Sequence, residues 1–186
     1  MSTLSIGLLN QLGDALEAAG FSPDDVTKLR TSGKLGDVKK VIHGLMEIKP
    51  VENIIDTDAQ PFCPDGWKVE EHQKAGKLEW NPAKVILHLD QGQKNGKCLE
   101  GNNLRKALKG QPVMNAVVLD WLLAHPELIP EEWKGKYIYF WGTIYRDSVG
   151  RLYVRCLYWG DGSWGWRCRW LGDGWGGGSP AAVAAS

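Results

Sequence analysis

Between Arg151 and Ser179 the chain reads RLYVRCLYWGDGSWGWRCRWLGDGWGGGS, with tryptophan at positions 159, 164, 166, 170 and 175. These five are half of the 10 tryptophans in the protein, and the residues between them are almost all Gly, Asp, Ser, Arg and Cys. The chemistry that such a stretch offers is non-covalent recognition. An indole gives large contact area at little rotamer entropy, and short polar residues tune hydrogen bonding and shape, the division of labour found in antibody paratopes. Arg167 and Arg169 add guanidinium groups suited to a carboxylate. The rings cannot all stand in water: at about 25 cal/mol per Å² and roughly 150–250 Å² each, five solvated indoles would forfeit on the order of 20 kcal/mol. Most of them are therefore expected to be buried or half-buried, as a rigid framework for the small residues between them.

Little else in the chain points to chemistry. No G-x-S-x-G, P-loop, H-E-x-x-H or dinucleotide-binding fingerprint is present, so no catalytic residue is assigned. His72 follows Glu70 and Glu71, and His125 precedes Pro126; a surface position and a helix end account for them more simply than acid-base roles. Cys63, Cys98, Cys156 and Cys168 form no C-x-x-C pair and have no histidine at zinc-finger spacing, so free thiols are expected, with no metal and no cofactor. Lys+Arg and Asp+Glu are both 22. That balance argues against a nucleic-acid partner, because no global field draws one in.

The elements that must position this stretch follow from periodicity. Leu8, Leu9, Leu12, Leu16 and Ala19 fall at helical spacing and Gly20 supplies a stop. Ser22-Pro23-Asp24-Asp25 is an N-cap, an N1 proline and two acids at the positive end of a helix dipole. Val38, Val41, Ile42, Leu45 and Met46 mark a third helix that stops before Pro50. Residues 1–49 are thus expected to be a small helical bundle for docking or oligomerisation. Lys34, Lys39 and Lys40 would suit a helix-turn-helix, but Asp24, Asp25, Asp37 and Glu47 offset them. Residues 50–82, with Pro61, Pro64, Pro82, Trp67 and Trp80, read as an extended connector packed on the following domain, since a solvated linker rarely holds two tryptophans.

From residue 83 the order predicted is a strand over Lys84–Asp90, helices over Glu100–Lys109 and Val113–Ala124, and strands over Tyr137–Tyr145, Arg151–Trp159 and Ser163–Trp170. Asp147-Ser148-Val149-Gly150 is a hairpin loop between the first two of these last strands. The fold class expected is α+β, a helical bundle followed by a strand, two helices and an antiparallel sheet. The start of the chain lacks a basic n-region, and no run approaches the ~20 apolar residues of a membrane helix. A cytoplasmic location is the expectation, with leaderless export left open.

The run LEGNNLRKAL, the run from VLDWLLAHPELIPEEW through GDGSWGWRCRWLGDGW, and the ending SPAAVAAS resemble a family of bacterial proteins associated with the variable target proteins of diversity-generating retroelements. The resemblance covers about Asp56 to Ser186. It implies a ligand-binding display protein of C-type-lectin fold, in residues 83–186, whose 3′ coding end is rewritten by error-prone copying at adenines. Randomising the adenines of AAY codons gives NNY codons, which never encode Lys, Glu, Gln, Met or Trp. From Asp147 to Ser186 the chain has no Lys, Glu, Gln or Met, and the tryptophan codon TGG holds no adenine to mutate.

On that resemblance Trp159, Trp164, Trp166, Trp170 and Trp175 are framework within a variable region of about 151–179. The exchangeable positions are Gly160, Asp161, Ser163, Gly165, Arg167, Cys168, Arg169, Gly172, Asp173, Gly176, Gly177, Gly178 and Ser179, with Arg155 and Cys156 as weaker candidates. Since alternate residues of a strand face the same way, Arg167 and Arg169 are expected to stand as two guanidinium arms over an aromatic floor, toward an acidic epitope on a protein. Two other binders remain open. A glycan module would stack sugars on Trp164, Trp166 or Trp175, although the calcium-coordinating EPN or QPD tripeptide of sugar-binding C-type lectins is absent. A single-strand nucleic-acid module would set Arg155, Arg167 and Arg169 on phosphates.

Overall fold

The computed structural model describes residues 4–48 and 53–185. Pro50, with the start of the expected connector, and Ser186 lie outside the described residues. The chain divides into two units, Met1–Val51 and Glu52–Ser186.

The first unit is three short helices, α1 (Ile6–Ala18), α2 (Pro23–Thr31) and α3 (Leu35–Ile42). Ser5 caps α1 by accepting from the Leu8 amide at 3.3 Å. Gly20, at φ 82°, closes it: its amide donates to Glu17 O and that of Phe21 to Leu16 O, the paired bonds of a Schellman end. Ser22 and Asp25 form a reciprocal capping box on α2, the Ser22 hydroxyl accepting from the Asp25 amide and the Asp25 carboxylate from the Ser22 amide. α3 is shorter than its apolar pattern predicts, because the chain turns at Gly44 with φ 69° and leaves Leu45 and Met46 beyond the helix. The caps are well formed, yet no described residue of this unit is buried.

The second unit is α+β. Its elements in order are β1 (Ile54–Asp56), β2 (Lys68–His72), β3 (Lys77–Glu79), β4 (Val85–His88), β5 (Leu99–Glu100), α4 (Gly101–Ala107), α5 (Ala116–Ala124), β6 (Ile138–Tyr139), β7 (Thr143–Arg146), β8 (Leu152–Gly160), β9 (Ser163–Trp170), β10 (Gly174–Trp175) and β11 (Ala181–Ala184). The main sheet runs β2-β7-β8-β6-β11-β4, with β9 paired to the other edge of β8. β11 lies parallel to β6 and antiparallel to β4. The antiparallel hairpins expected at the end of the chain are therefore present, but its last strand returns to lie between β6 and the edge strand β4.

The sheet is covered on both faces, by alternating residues. Ile138, Phe140, Leu157 and Ala182 pack with Val118, Leu119 and Leu122 of α5 and with Trp80 and Trp133. The residues between them, Tyr139, Trp141, Val154, Cys156, Ala181 and Val183, pack with Leu104 and Leu108 at α4 and with Leu171 and Trp175.

Three segments differ from the sequence expectation. The strand predicted over Tyr137–Tyr145 is broken at Phe140–Gly142. There the backbone of Asn115 crosses so closely that a Cβ on Gly142 would stand 2.9 Å from Asn115 Cα, and the Gly142 amide donates to Met114 O. The helix predicted from Val113 starts at Ala116, because Asn115 caps it by accepting from the Val117 amide, while Val113 bridges Val183. Residues 53–82 hold strands of their own: β1 pairs with β3, and β2 joins the main sheet beside β7. Burial of Trp80 and the tilted contact of Trp67 with Tyr153 at 4.4 Å are why this segment carries two tryptophans.

Candidate ligand-binding face

β8 and β9 form a hairpin in register from Tyr153↔Trp170 to Gly160↔Ser163. Asp161 and Gly162 close it with φ of 51° and 76°, the two positive values of a type I′ turn that matches strand twist. An Asp-Gly pair between two aromatic strands is the sequence signal for this turn, and it marks the tip of the site.

The period of two along β9 separates its residues into two sets. Trp164, Trp166, Cys168 and Trp170 lie on the face opposite Trp159, Leu157, Arg155 and Tyr153. Ser163, Gly165, Arg167 and Arg169 lie on the other, opposite Gly160, Tyr158, Cys156 and Val154. Within β9 the expected framework and exchangeable residues therefore fall on opposite sides, with Cys168 on the tryptophan side, while Trp175 of β10 lies under Arg169 on the α4 side.

The tryptophan side rests on the body of the unit. Trp164 packs against the α5 core and meets Trp159 at 5.3 Å, nearly edge-on, and Lys134 Nζ sits 3.8 Å over the Trp159 ring. Trp166 lies against Phe62 at 5.3 Å and under the Arg155 guanidinium at 4.6 Å. Trp175, fully buried, packs on Tyr139 and Trp141 from the α4 side. Burial is uneven: Trp175 is buried, Trp159 and Trp164 are half-buried, and Trp166 and Trp170 keep 37% and 42% of their surface exposed.

The other side is equally open, with Ser163 and Arg167 exposed and Gly165 and Arg169 half-buried. Arg167 is exposed and lies 4.4 Å over the Tyr158 ring, which stacks on Tyr137 at 5.8 Å. Ser163 and Asp161 are exposed, and Gly160 and Gly165 half-exposed. Beside them, Gly176 to Ser179 form a loop held by Gln93, whose Nε2 donates to Ser179 O at 3.0 Å and Gly176 O at 3.3 Å, and by the Tyr137 amide on Gly178 O. The tyrosines were not legible as part of this face. Tyr158 is where alternation from Gly160 puts it, but nothing local marks Tyr137.

Several expected positions sit differently. Arg169 is not a free arm: it donates to Gly174 O and to Ser179 Oγ, lies 3.8 Å from the Asp173 carboxylate and covers the Trp175 ring at 5.2 Å. Ser179 is sealed inside, at 5% exposure, because it lines the path by which the chain enters β11. Arg155 and Cys156 are each 1% exposed. Arg155 pairs with Asp120 at 2.7 Å and donates to Phe62 O at 3.3 Å, and burial pushes the Cys156 thiol up to about 11. Neither faces solvent, so neither belongs to an exchangeable surface. Cys168 is half-buried, and burial raises its thiol to about 11 as well.

The glycines divide by what a side chain would meet. Gly178 has nothing within 4 Å of an added Cβ, and Gly176 and Gly177 only ordinary contacts. At Gly172 a Cβ would strike the Trp170 ring at 2.4 Å, and at Gly160 the Tyr158 ring at 2.9 Å.

The histidines have structural partners. His72 bridges Thr143 Oγ1 at 2.9 Å and Thr57 O at 3.0 Å, where Asn115 also donates to Thr57 O. His125 stacks on Trp121 at 4.3 Å and bonds its carbonyl. Among the described residues all four cysteines are free, no group of His, Cys, Asp and Glu could hold a metal, and no helix is long and apolar enough to cross a membrane. Concavities of about 400 Å³ between β2 and α4 and about 520 Å³ near Pro82 and Leu128 have no β9 residue in their walls. Compared with protein-family models, curated proteins and solved structures, the chain matches none.

Proposed function

We propose that the protein is a ligand-binding display protein of C-type-lectin type, a variable target of a diversity-generating retroelement that binds rather than catalyses. One observation carries the reading: period-two alternation puts Ser163, Gly165, Arg167 and Arg169 on one side of β9 and Trp164, Trp166 and Trp170 on the other. A strand built this way tolerates exchange on one side while the indoles on the other keep the hairpin seated. The surface best suited to exchange comprises Ser163, Gly165, Arg167, Asp173 and Gly176 to Gly178, while the positive φ of Asp161 limits that position to Asn, Asp or Gly. Arg169, Gly172, Gly160 and Ser179 are held by the contacts described above, and Cys168 is half-buried on the tryptophan side.

The preferred ligand is an acidic patch on a protein. A face whose exposed Arg167 lies over stacked tyrosines, away from the concavities of about 400 Å³ and 520 Å³, suits a broad partner better than a small molecule, which favours enclosed pockets.

The test is genetic. The 3′ end of the gene is compared with sibling copies and with any nearby template repeat beside a reverse transcriptase. Differences are expected at template adenines, clustered at the open positions, with the TGG codons unchanged. Copies in which tryptophans vary while Ser163, Gly165 and Arg167 stay constant would overturn the reading.

A further inference from the structure

The helical unit presents an unsolved burial problem. Among the described residues of this unit only Leu16, Leu29 and Val41 are even half-buried, one residue from each helix. Leu8, Leu9, Leu12, Leu35, Val38, Ile42, Leu45 and Met46 are all exposed. Isolated helices shorter than about 12–15 residues are marginal in water, and α2 and α3 have 9 and 8 residues. Three half-buried side chains are no core, so these helices need an apolar surface to lie against.

Charge indicates what that surface is. α1 carries Asp14 and Glu17 and no basic residue. Lys34, Lys39 and Lys40, against the single Asp37, make α3 and its N-cap basic. Lys40 is paired with Asp37, but among the described residues Asp14, Glu17, Lys34 and Lys39 are in no ion pair. The unit thus holds an acidic apolar helix and a basic apolar helix whose charges are not satisfied by one another.

We propose that α1 to α3 dock on the same helices of a second copy of this chain about a two-fold axis, α1 of each copy lying against α3 of the other. Two-fold symmetry makes both complementary contacts at once, which a single patch on an unrelated partner would not. The eight exposed apolar side chains, at on the order of 100 Å² each, supply about the 800 Å² per partner of a standard interface. The inference is independent of the ligand reading; where both hold, two faces on one particle raise avidity without any new contact.

Sedimentation of the full chain over a concentration series tests it, with helical circular dichroism recorded alongside. The wild type is expected to pass from one to two chain masses. Leu9→Glu with Leu12→Glu should weaken self-association about 100-fold or more, since each places a charge in the apolar seam. Lys34→Glu with Lys39→Glu should weaken it about tenfold, and adding Asp14→Lys with Glu17→Lys should restore it, because the complementary pattern is then reversed rather than lost. A wild type that stays at one chain mass throughout overturns the proposal, as does a charge-swapped quadruple variant that remains as weak as the double. The swap keeps every apolar residue, so failure to fold is not an escape in that comparison.

Discussion

Arg155 shows at the scale of one residue why a position inside a variable-looking stretch is not free to vary. Its guanidinium lies against both the Phe62 and Trp166 rings, paired with Asp120 and bonded to Phe62 O. Asp120 in turn accepts from the Phe62 amide at 2.8 Å. One ion pair thereby ties α5, β8 and the segment at residue 62 together. Removing one member of a buried pair leaves an uncompensated charge, whereas replacing both with apolar groups is often near neutral. Arg155→Met should therefore lower unfolding stability by about 3 kcal/mol in urea denaturation, the low end for such a pair because Asp120 keeps 27% of its side chain exposed. Arg155→Met with Asp120→Leu should recover most of that loss.

At the scale of the element, the β8–β9 hairpin sets different limits on its tip and its edge. Asp161 at φ 51° suits Asn, Asp or Gly, while a β-branched residue there meets its own carbonyl. Asp161→Val is expected to cost about 1–2 kcal/mol and Asp161→Asn almost nothing, as read by thermal unfolding. The loop after β9 behaves by sterics instead of φ. Gly178→Ser should fall within about 0.5 kcal/mol of wild type, whereas Gly172→Ser must push the Trp170 ring aside and should alter tryptophan fluorescence. Exchange is thus cheapest at Ser163, Arg167 and Gly176 to Gly178, and selection for a ligand would act most freely there.

Across the whole second unit, burial of neutral acids governs alkaline stability. Cys156 and Cys168 rise from the ordinary thiol value of 9.0 to about 11, and Tyr145 from 10.0 to about 12, each mainly through burial. The folded state holds these protons more tightly than the unfolded chain does. Their contribution is fully present below about pH 9 and is lost as pH rises through 11 to 12. A pH series of urea midpoints should fall across that window. Replacing Cys156 and Cys168 with Ala should flatten its first part, and a curve unchanged by that replacement would speak against burial as the cause. At the acid end, paired hydrogen bonds from Arg146 hold the Glu70 carboxyl down to about 2. That clasp between β2 and β7 is complete above the ordinary carboxyl value of 4.5 and is lost as pH falls toward 2.

Much of this organisation was legible because it is local. Ser22 and Gly20 mark helix ends through a local side-chain cap and a local backbone turn, and the period of two over Ser163–Trp170 shows which residues share a side. The sequence by itself determined the α+β class, the three N-terminal helices, the hairpins and the separation of tryptophans from small residues. What lay beyond it depends on segments distant in the chain. Only the tertiary structure decided that Asn115 breaks the strand at Gly142, that Phe62 and Asp120 enclose Arg155, that Gln93 draws Ser179 inside and that Trp170 stays half in water. The physical reason is that periodicity reports which residues share a face, while burial depends on what the rest of the fold lays against that face.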